Sequence, residues 1–290
     1  MMRPRTLRRN QRGVALLLVL WACTLLAILL GGYAALARTE GLQARFQFAQ
    51  TQAHYAAEAG LIRGIYGMQD PLSKQRWIGD GRIYSFKQDS ATIVVSAISE
   101  SGLVDINTAT PEVLQGLFHV VGMEPGAARA LAARVLEWRN PVGIVADGAT
   151  QHAAYVAAGR DYGPRHGPFA SVEELQMVLG MTPAVYRRVA GAVTIWSGNP
   201  TPNQNIAPPL VLAAIPGMTP PKVNAILAAR LKNANDSSLV LNNGTTHSIR
   251  SEATLADGTR AVLRATIRFQ PGQTGVQPYV VLRWQEGDAE

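Results

Sequence analysis

The chain has 290 residues, which is long enough for about two compact units and too long for a small disulfide-stapled protein. Hydrophobic residues make up 47% and charged residues 16%, which excludes a highly charged disordered polymer and a protein with many membrane spans. The net charge of +7 does not by itself indicate nucleic-acid binding, because five arginines lie in the first 13 residues and leave 7 − 5 = +2 for the remainder. The single cysteine, Cys23, excludes an intramolecular disulfide and a multi-cysteine metal site.

The first predicted element is an apolar segment, Val14 to Ala37, that contains no charged residue. As a helix its 24 residues would extend about 36 Å, enough to cross a hydrocarbon layer of roughly 30 Å. Arginines precede the segment, so the positive-inside rule predicts a cytoplasmic leader and an extracytoplasmic remainder.

The residue before this segment predicts how the chain is processed. A secretory signal that is cleaved has an apolar core of about 7 to 15 residues, shorter than this one. Gly13, between the basic leader and the apolar segment, is similar to the glycine after which prepilin peptidase cuts type IV pilin-like proteins. The similarity implies that residues 1–13 are removed and that Val14 becomes the methylated N-terminus. An uncleaved signal anchor is the alternative.

The helical pattern continues beyond the apolar segment. Small and apolar residues recur at spacings of three and four, and this stripe consists of Leu42, Phe46, Ala49, Ala53, Ala56 and Gly60. We therefore predict one helix over residues 14–69, ended by Asp70-Pro71, with residues 14–37 in the membrane and the rest packed on a domain. A coiled-coil stalk is disfavoured because the stripe is short and mostly alanine.

Alternating and β-branched runs predict an antiparallel sheet whose strands lie in two separate parts of the chain. The first part has strands at Arg82–Lys87 and Ala91–Ile98, joined by a hairpin at Gln88-Asp89-Ser90. The second part has strands at His247–Leu255, Ala261–Phe269 and Tyr279–Trp284, with Asp257-Gly258 as a two-residue hairpin turn.

Residues 103–236 are rich in alanine and leucine and predict an α-helical domain inserted between the two strand groups. Three turns in it share the sequence Gly-Met-polar-Pro, at Gly122–Pro125, Gly180–Pro183 and Gly217–Pro220. We interpret them as helix-hairpin-helix repeats. Asn107 and Asn205 precede two of the helices and are predicted to cap them.

In their order along the chain these features resemble the type II secretion minor pseudopilin K family, also called general secretion pathway protein K. The resemblance rests on the Arg12-Gly13 junction, the run Val14–Trp21, Ala57–Gly60, Asp105–Ala109, Trp138-Arg139, Phe169–Leu175 and the segment at Asn205. It implies an α+β fold with a long transmembrane helix, a pilin-like antiparallel sheet made by residues 70–102 and 237–290, and a large inserted helical domain.

Leu18 is the fifth residue after the expected cleavage site. Major pilins have a glutamate there that pairs with the terminal amine of a neighbouring subunit, since an unpaired charge in the membrane is costly. Its absence is typical of protein K and implies a subunit at the tip of the pseudopilus.

The resemblance implies that this subunit initiates the fibre with minor pseudopilins I and J, for export of folded proteins across the outer membrane. It also implies contact with prepilin peptidase, the inner-membrane assembly platform and inner-membrane lipid, with the C-terminal domain in the periplasm. A minor tip subunit of a type IV pilus is the alternative.

No metal or other cofactor is predicted. The family has a calcium-associated loop of the form Trp-x-Asp-x-Asp, whereas residues 138–142 read Trp-Arg-Asn-Pro-Val and residues 148–150 read Gly-Ala-Thr. Calcium takes about six to eight oxygen ligands, carboxylates among them, and these positions lack the carboxylates.

No hydrolase, metalloprotease or nucleotide-binding motif is present in the sequence, so an enzyme is not predicted. DNA binding by a membrane-anchored protein is the rival function, because helix-hairpin-helix turns hold phosphate on their amides. The cations that would support it are Arg129, Arg134, Arg187, Arg188 and Arg230. We expect no nucleic-acid binding, because the turns lack a second glycine and Glu124 would repel phosphate.

Overall fold

The computed structural model describes residues 12–70, 76–141, 148–232, 245–270 and 278–287. The chain divides into two compact units, Met1–Gln52 and Ala53–Glu290. One long helix, α1, runs from Arg12 to Met68 and contributes to both units. The helix predicted over residues 14–69 is therefore present, and the fold is α+β.

The buried face of α1 lies in the second unit and differs in part from the predicted stripe. Burial there follows spacings of three and four along Ala53, Ala57, Gly60, Leu61, Gly64, Ile65 and Met68. Leu42 and Phe46, which the stripe includes, are 59% and 63% exposed. The periodicity was correct, but it does not report where along a helix the packing partner begins.

The strands in the described part of the chain are, in order, β1 (Asp80–Gln88), β2 (Ala91–Ser99), β3 (Val104–Asp105), β4 (Val193–Thr194), β5 (Thr246–Leu255), β6 (Arg260–Phe269) and β7 (Tyr279–Glu286). Five of them form an antiparallel sheet in the order β1-β2-β5-β6-β7, and β3 and β4 form a short parallel pair. The predicted split sheet is therefore present, because β2 pairs directly with β5 across the intervening segment.

The inner face of this sheet packs against α1. Ile93 and Val95 of β2 are fully buried, and so are Ala253 of β5 and Ile267 of β6. The helix comes close at Gly60, where a Cβ atom would lie 2.5 Å from Ile93 Cγ2 and 2.3 Å from Ser251 Oγ. Gly60 therefore sets the close approach of helix and sheet.

The two hairpins differ from each other. Asp89 and Ser90 form a two-residue turn between β1 and β2, with Asp89 at φ = 50°. The β5–β6 turn is one residue longer than predicted, because Leu255 donates its N–H to the Thr259 carbonyl and encloses three residues. Gly258 takes the left-handed conformation in this loop, at φ = 87°.

The inserted segment is mainly helical, as predicted. Its helices are α2 (Pro111–Val120), α3 (Pro125–Arg139), α4 (Gly148–Ala157), α5 (Pro183–Val189), α6 (Pro209–Ala214) and α7 (Pro220–Lys232). Helices α2 and α6 cross at Gly116, where a Cβ atom would lie 2.1 Å from the Ala214 carbonyl oxygen. The inserted helices have their own apolar core, which includes Leu114, Leu117, Val135, Leu175 and Leu212.

The three Gly-Met-polar-Pro turns share one backbone geometry. Gly122, Gly180 and Gly217 have φ values of 95°, 92° and 79°, and the proline of each turn is the first residue of the next helix. A 3-10 segment, Glu173–Met177, precedes the second turn in place of an α-helix. The turns are thus a real repeat, while their interpretation as helix-hairpin-helix motifs stays a prediction.

Candidate functional site

The first part of α1 is apolar and uncovered within this chain. The large apolar side chains from Val14 to Leu36 are at least 57% exposed, and Val14 and Leu18 are 66% and 65% exposed. By length and composition, α1 is able to cross a membrane. An apolar surface of this extent requires lipid or other helices to cover it.

The predicted processing site lies at the start of this helix. Gly13 is in the first turn of α1, whereas residues 1–11 lie outside the described residues. Further along the helix, Cβ atoms at Gly31 and Gly32 would meet no other atom within 4 Å. The backbone there is open to close approach by another helix. Cleavage after Gly13 and methylation of Val14 stay predictions.

The loop before α2 is organised by two polar residues, the buried Asp105 and the half-buried Asn107. Asp105 accepts hydrogen bonds from the N–H groups of Asn107 at 2.8 Å and Gly198 at 2.7 Å. The prediction that Asn107 caps α2 is wrong. Its side-chain amide instead donates to the Phe169 carbonyl at 3.1 Å and accepts the Phe169 N–H at 2.7 Å. Thr110 is the cap, because α2 begins one residue after it.

Arg139, at the end of α3, closes the same loop. Its two terminal nitrogens donate to the carbonyl oxygens of Ile106 at 2.8 Å and Ala109 at 2.7 Å. Burial lowers the pKa of Arg139, and the charge of Asp105 opposes that effect. We call this arrangement of Arg139 on two loop carbonyls an arginine clamp.

A second arginine clamp is present before α6. The side-chain oxygen of Asn203 accepts the Asn205 N–H at 3.0 Å, as Asp105 does for Asn107. Arg230 of α7 donates to the carbonyl oxygens of Ala207, at 2.8 Å, and Gln204. No side chain caps α6, so the capping prediction for Asn205 is also wrong. The insertion therefore repeats a unit of loop, helix, turn and clamped helix.

The carboxylate of Glu174, in the 3-10 segment Glu173–Met177, lies beside Trp138 and is used for internal hydrogen bonds. Glu174 accepts hydrogen bonds from the indole N–H of Trp138 at 2.9 Å and from the Ala170 N–H at 2.7 Å. It also forms an ion pair with Arg165. Desolvation raises the pKa of Glu174, but these donors together outweigh it, so the pKa lies below its usual value. Within the described residues, no three His, Cys, Asp or Glu side chains come close enough to hold a metal ion. Residues 142–147 lie outside them.

Three of the five arginines that would support DNA binding have structural partners. Arg134 forms an ion pair with Glu137 at 2.7 Å, and Arg188 donates to the Val121 carbonyl at 2.7 Å. Arg230 forms the second clamp. Only Arg129 and Arg187 of that set are exposed without such a contact among the described residues, which weakens the case for a phosphate-binding surface.

A cleft of about 520 Å³ lies between the outer face of the sheet and the inserted helical layer. Its sheet side includes Arg250, Arg264 and Arg283, and at its base the buried Glu100 accepts a hydrogen bond from the Ser248 hydroxyl. Burial raises the pKa of Glu100, and hydrogen bonds from Ser248 and Thr194 oppose that effect. The alternation in Ala261–Phe269 predicted β6, but it gave no sign that the insertion covers part of the outer face of this strand, at Arg264.

Comparison with known proteins gives a consistent result. Residues 94–200 match the family model of the first domain of type II secretion system protein K. A curated relative, type II secretion system protein K of Klebsiella pneumoniae, is 29% identical, with 63% of this chain and 62% of the relative covered. Over residues 94–200 the chain is therefore similar to type II secretion system protein K, and it spans about 62% of the length of this curated relative.

A solved structure shares the fold of this chain. The crystal structure of the GspK-GspI-GspJ complex from enterotoxigenic Escherichia coli has a chain that superposes with a TM-score of 0.57 at 16% identity, covering 85% of this chain and all of that chain. The matched family domain contains Asp105, Asn107, Arg139 and Phe169, so it includes the first arginine clamp.

Proposed function

We propose that this protein is a minor pseudopilin at the tip of a type II secretion pseudopilus, where it initiates fibre assembly for export of folded proteins. The observation that supports this most directly is α1. One continuous helix carries an exposed apolar segment of membrane-spanning length, followed by a face that packs on the sheet through Gly60. This is the arrangement expected of a subunit held in the membrane before it enters a fibre.

The proposed partners are minor pseudopilins I and J. The protein K chain of similar fold was crystallised with GspI and GspJ, and the curated relative is matched over 62% of its length. Exposed apolar side chains between Val14 and Leu36 supply a surface for lateral helix packing. Inner-membrane lipid surrounds this segment before assembly, and prepilin peptidase and the assembly platform act on it there.

The tip position follows from Leu18. A leucine at this position provides no carboxylate to pair with the terminal amine of a neighbouring subunit. A subunit at the tip has no subunit ahead of it, so it does not need this carboxylate. The leader is cytoplasmic, and the sheet and the inserted helices are periplasmic. The subunit needs no cofactor, because its proposed role is to pack against other subunits.

The N-terminal sequence and the mass of the protein test the first step of this proposal, which is cleavage after Gly13. Protein recovered from membranes of cells that have prepilin peptidase should begin at methylated Val14, and protein from cells without it should keep residues 1–13. Gly13→Ala should retain the leader and reduce export of folded proteins, because the peptidase requires the glycine.

Gly31→Ala is the matched control. It replaces another glycine of the same helix at a position where a Cβ atom has room, so processing should be unchanged. An intact leader in both strains would contradict the proposal and indicate a signal-anchored protein, for which duplex-DNA binding would be measured next.

A further inference from the structure

The inner face of the sheet extends beyond the area that α1 covers. Gly60 and Gly64 of α1 come close to side chains of β2 and β5. The edge strand β7 lies two places beyond β5 in the sheet, which is about 10 Å away at the usual strand spacing of about 4.8 Å. A helix is about 10–12 Å wide with its side chains, so β7 lies beyond the width of α1.

Two apolar side chains on the inner face of β7 are exposed in the part of the chain that the structure describes. Val281 lies opposite Ile267 and Trp284 lies opposite Ala265, so all four side chains share one face of the sheet. Ile267 and Ala265 on β6 are 0% and 2% exposed, whereas Val281 and Trp284 are 44% and 41% exposed. Burial of this face therefore ends between β6 and β7.

The opposite edge of the same face is covered. On β1, Tyr84 and Phe86 lie opposite buried residues of β2 and point to the inner face. Arg63 of α1 lies over the Phe86 ring at 4.1 Å, and Trp77 is stacked on Tyr84 with the ring centroids 4.0 Å apart. The sheet is thus closed on the β1 side of α1 and open on the β7 side.

The part of α1 that packs on the sheet also keeps an exposed apolar stripe. Tyr55, Ile62 and Tyr66 follow one another at spacings of seven and four, which places them on one side of the helix. Their side chains are 65%, 41% and 65% exposed. In the topology proposed above this part of α1 lies outside the membrane, so lipid does not cover the stripe.

We propose that the inner face of β7 and the exposed side of α1 form a helix seat, which binds an amphipathic helix of a neighbouring pseudopilin subunit. Helices pack with their axes about 8–10 Å apart, which matches the distance of about 10 Å from β5 to β7. A helix over β7 therefore also contacts α1. The apolar stripe of the partner helix packs on Val281 and Trp284. The inference rests on the proposed function, since a subunit anchored in the same membrane brings such a helix beside α1.

Photo-crosslinking in membranes tests the helix seat. The full chain is expressed together with minor pseudopilins I and J of the same system, with p-benzoylphenylalanine in place of Trp284. We expect crosslinks to a helix of I or J, located by mass spectrometry. The matched control has p-benzoylphenylalanine in place of Ile83, which is 71% exposed and lies opposite Ser96 on the outer face of the sheet. The control should give no such crosslink.

Substitutions in the helix seat give a second measurement. Val281→Asp places a charge on the apolar surface, and Trp284→Ala removes its largest side chain. Each should reduce the amount of I and J that copurifies with the full chain about tenfold, since a buried aromatic anchor often dominates an interface. Ile83→Asp is the matched control and should leave copurification unchanged. Urea unfolding of each variant checks that it is folded.

A third crosslinking position separates the helix seat from the function on which it rests. Leu25, in the apolar segment of α1, is 58% exposed and should also crosslink to I or J when it is replaced by p-benzoylphenylalanine. Crosslinks at position 25 but none at position 284 would overturn the helix seat and leave the proposed function intact. Crosslinks at neither position would overturn both. Crosslinks from position 284 to lipid, to a second copy of this chain or to a strand of the partner would overturn the helix seat alone.

Discussion

His247, on the inner face of β5, is a buried histidine without hydrogen-bond partners among the described residues. It is 1% exposed, and neither ring nitrogen has a partner there. Its ring lies 5.3 Å from that of Phe269, and a Cβ atom at Gly79 would come within 2.8 Å of it. Burial lowers the pKa of His247 to about 4, because the charged ring would lose its hydration.

This residue should make the folded domain less stable in acid. The pKa of His247 is lower in the folded state than the value of about 6.5 for an unfolded chain. The contribution of neutral His247 to the stability of the domain is therefore fully present above pH 6.5 and is lost as the pH falls towards 4. Between pH 7.5 and pH 5 the free energy of unfolding should fall by about 2 kcal/mol because of this group. Urea unfolding of the full chain in detergent, followed by circular dichroism, measures this change.

His247→Gln should remove this pH dependence, since glutamine does not titrate. Glu100→Gln is the second variant, because burial raises the pKa of Glu100 and a raised carboxyl pKa favours the folded state as the pH falls. Glu100→Gln should therefore steepen the acid loss. An unchanged slope in His247→Gln would contradict this prediction.

The arginine clamps should contribute measurably to stability. Arg139→Lys keeps the charge but loses the fork that reaches the carbonyls of both Ile106 and Ala109. One buried carbonyl without a donor costs about 1–3 kcal/mol, so the free energy of unfolding should fall by that amount. Arg230→Lys should have a similar effect in the second clamp, and urea unfolding measures both.

Arg129→Lys is the control for the clamps, because this exposed arginine of α3 has no recorded partner within the described residues, and its stability should be unchanged. The double variant Arg139→Lys/Arg230→Lys should show additive losses, since the two clamps share no hydrogen-bond partner. Stability of Arg139→Lys equal to that of the original chain would show that lysine satisfies both carbonyls.

At the scale of elements, the contact between α1 and the sheet depends on the absence of a side chain at Gly60. Gly60→Ala raises helix propensity by about 1 kcal/mol, but the added methyl would lie 2.5 Å from Ile93 Cγ2. Overpacking of this kind costs about 1–3 kcal/mol, so the net result should be destabilisation. The midpoint of urea unfolding should move to lower urea.

Gly41→Ala provides the comparison within the same helix. A Cβ atom at Gly41 would meet no other atom within 4 Å, so the propensity gain should appear without a packing cost and leave stability equal or higher. If Gly60→Ala stabilised the protein as Gly41→Ala does, the close approach of helix and sheet would have to be more adaptable than the structure indicates.

The sequence predicted elements better than contacts between them. The alternation in Ala261–Phe269 located β6, and the charge-free run after Gly13 located the apolar part of α1. Asn107 was misassigned because its partner, Phe169, is 62 residues away, and a pattern of neighbouring residues contains no information about so distant a contact. The Asp105 carboxylate organises the same loop, but the residues around Asp105 match no motif of a ligand site, so the sequence did not predict its role.

For the whole molecule, the deciding feature is that β2 and β5 are neighbours although the insertion separates them. The last residue of β2, Ser99, lies opposite His247 near the start of β5. This pairing places Glu100 beside Ser248 and brings the insertion over Arg264 of β6. The cleft is therefore a product of strand register and insertion together, which explains why no single run of sequence predicts it.

The strands β1, β2, β5, β6 and β7 stand in the sheet in the same order as in the chain. The insertion therefore occupies the place of one hairpin loop in an otherwise simple meander. Because the cost of closing a loop rises by only about 0.6 kcal/mol for each doubling of its length, evolution could enlarge or exchange this module without changing a single strand pairing. The inserted segment could in this way change in size or be replaced while the sheet and its contact with α1 stayed as they are.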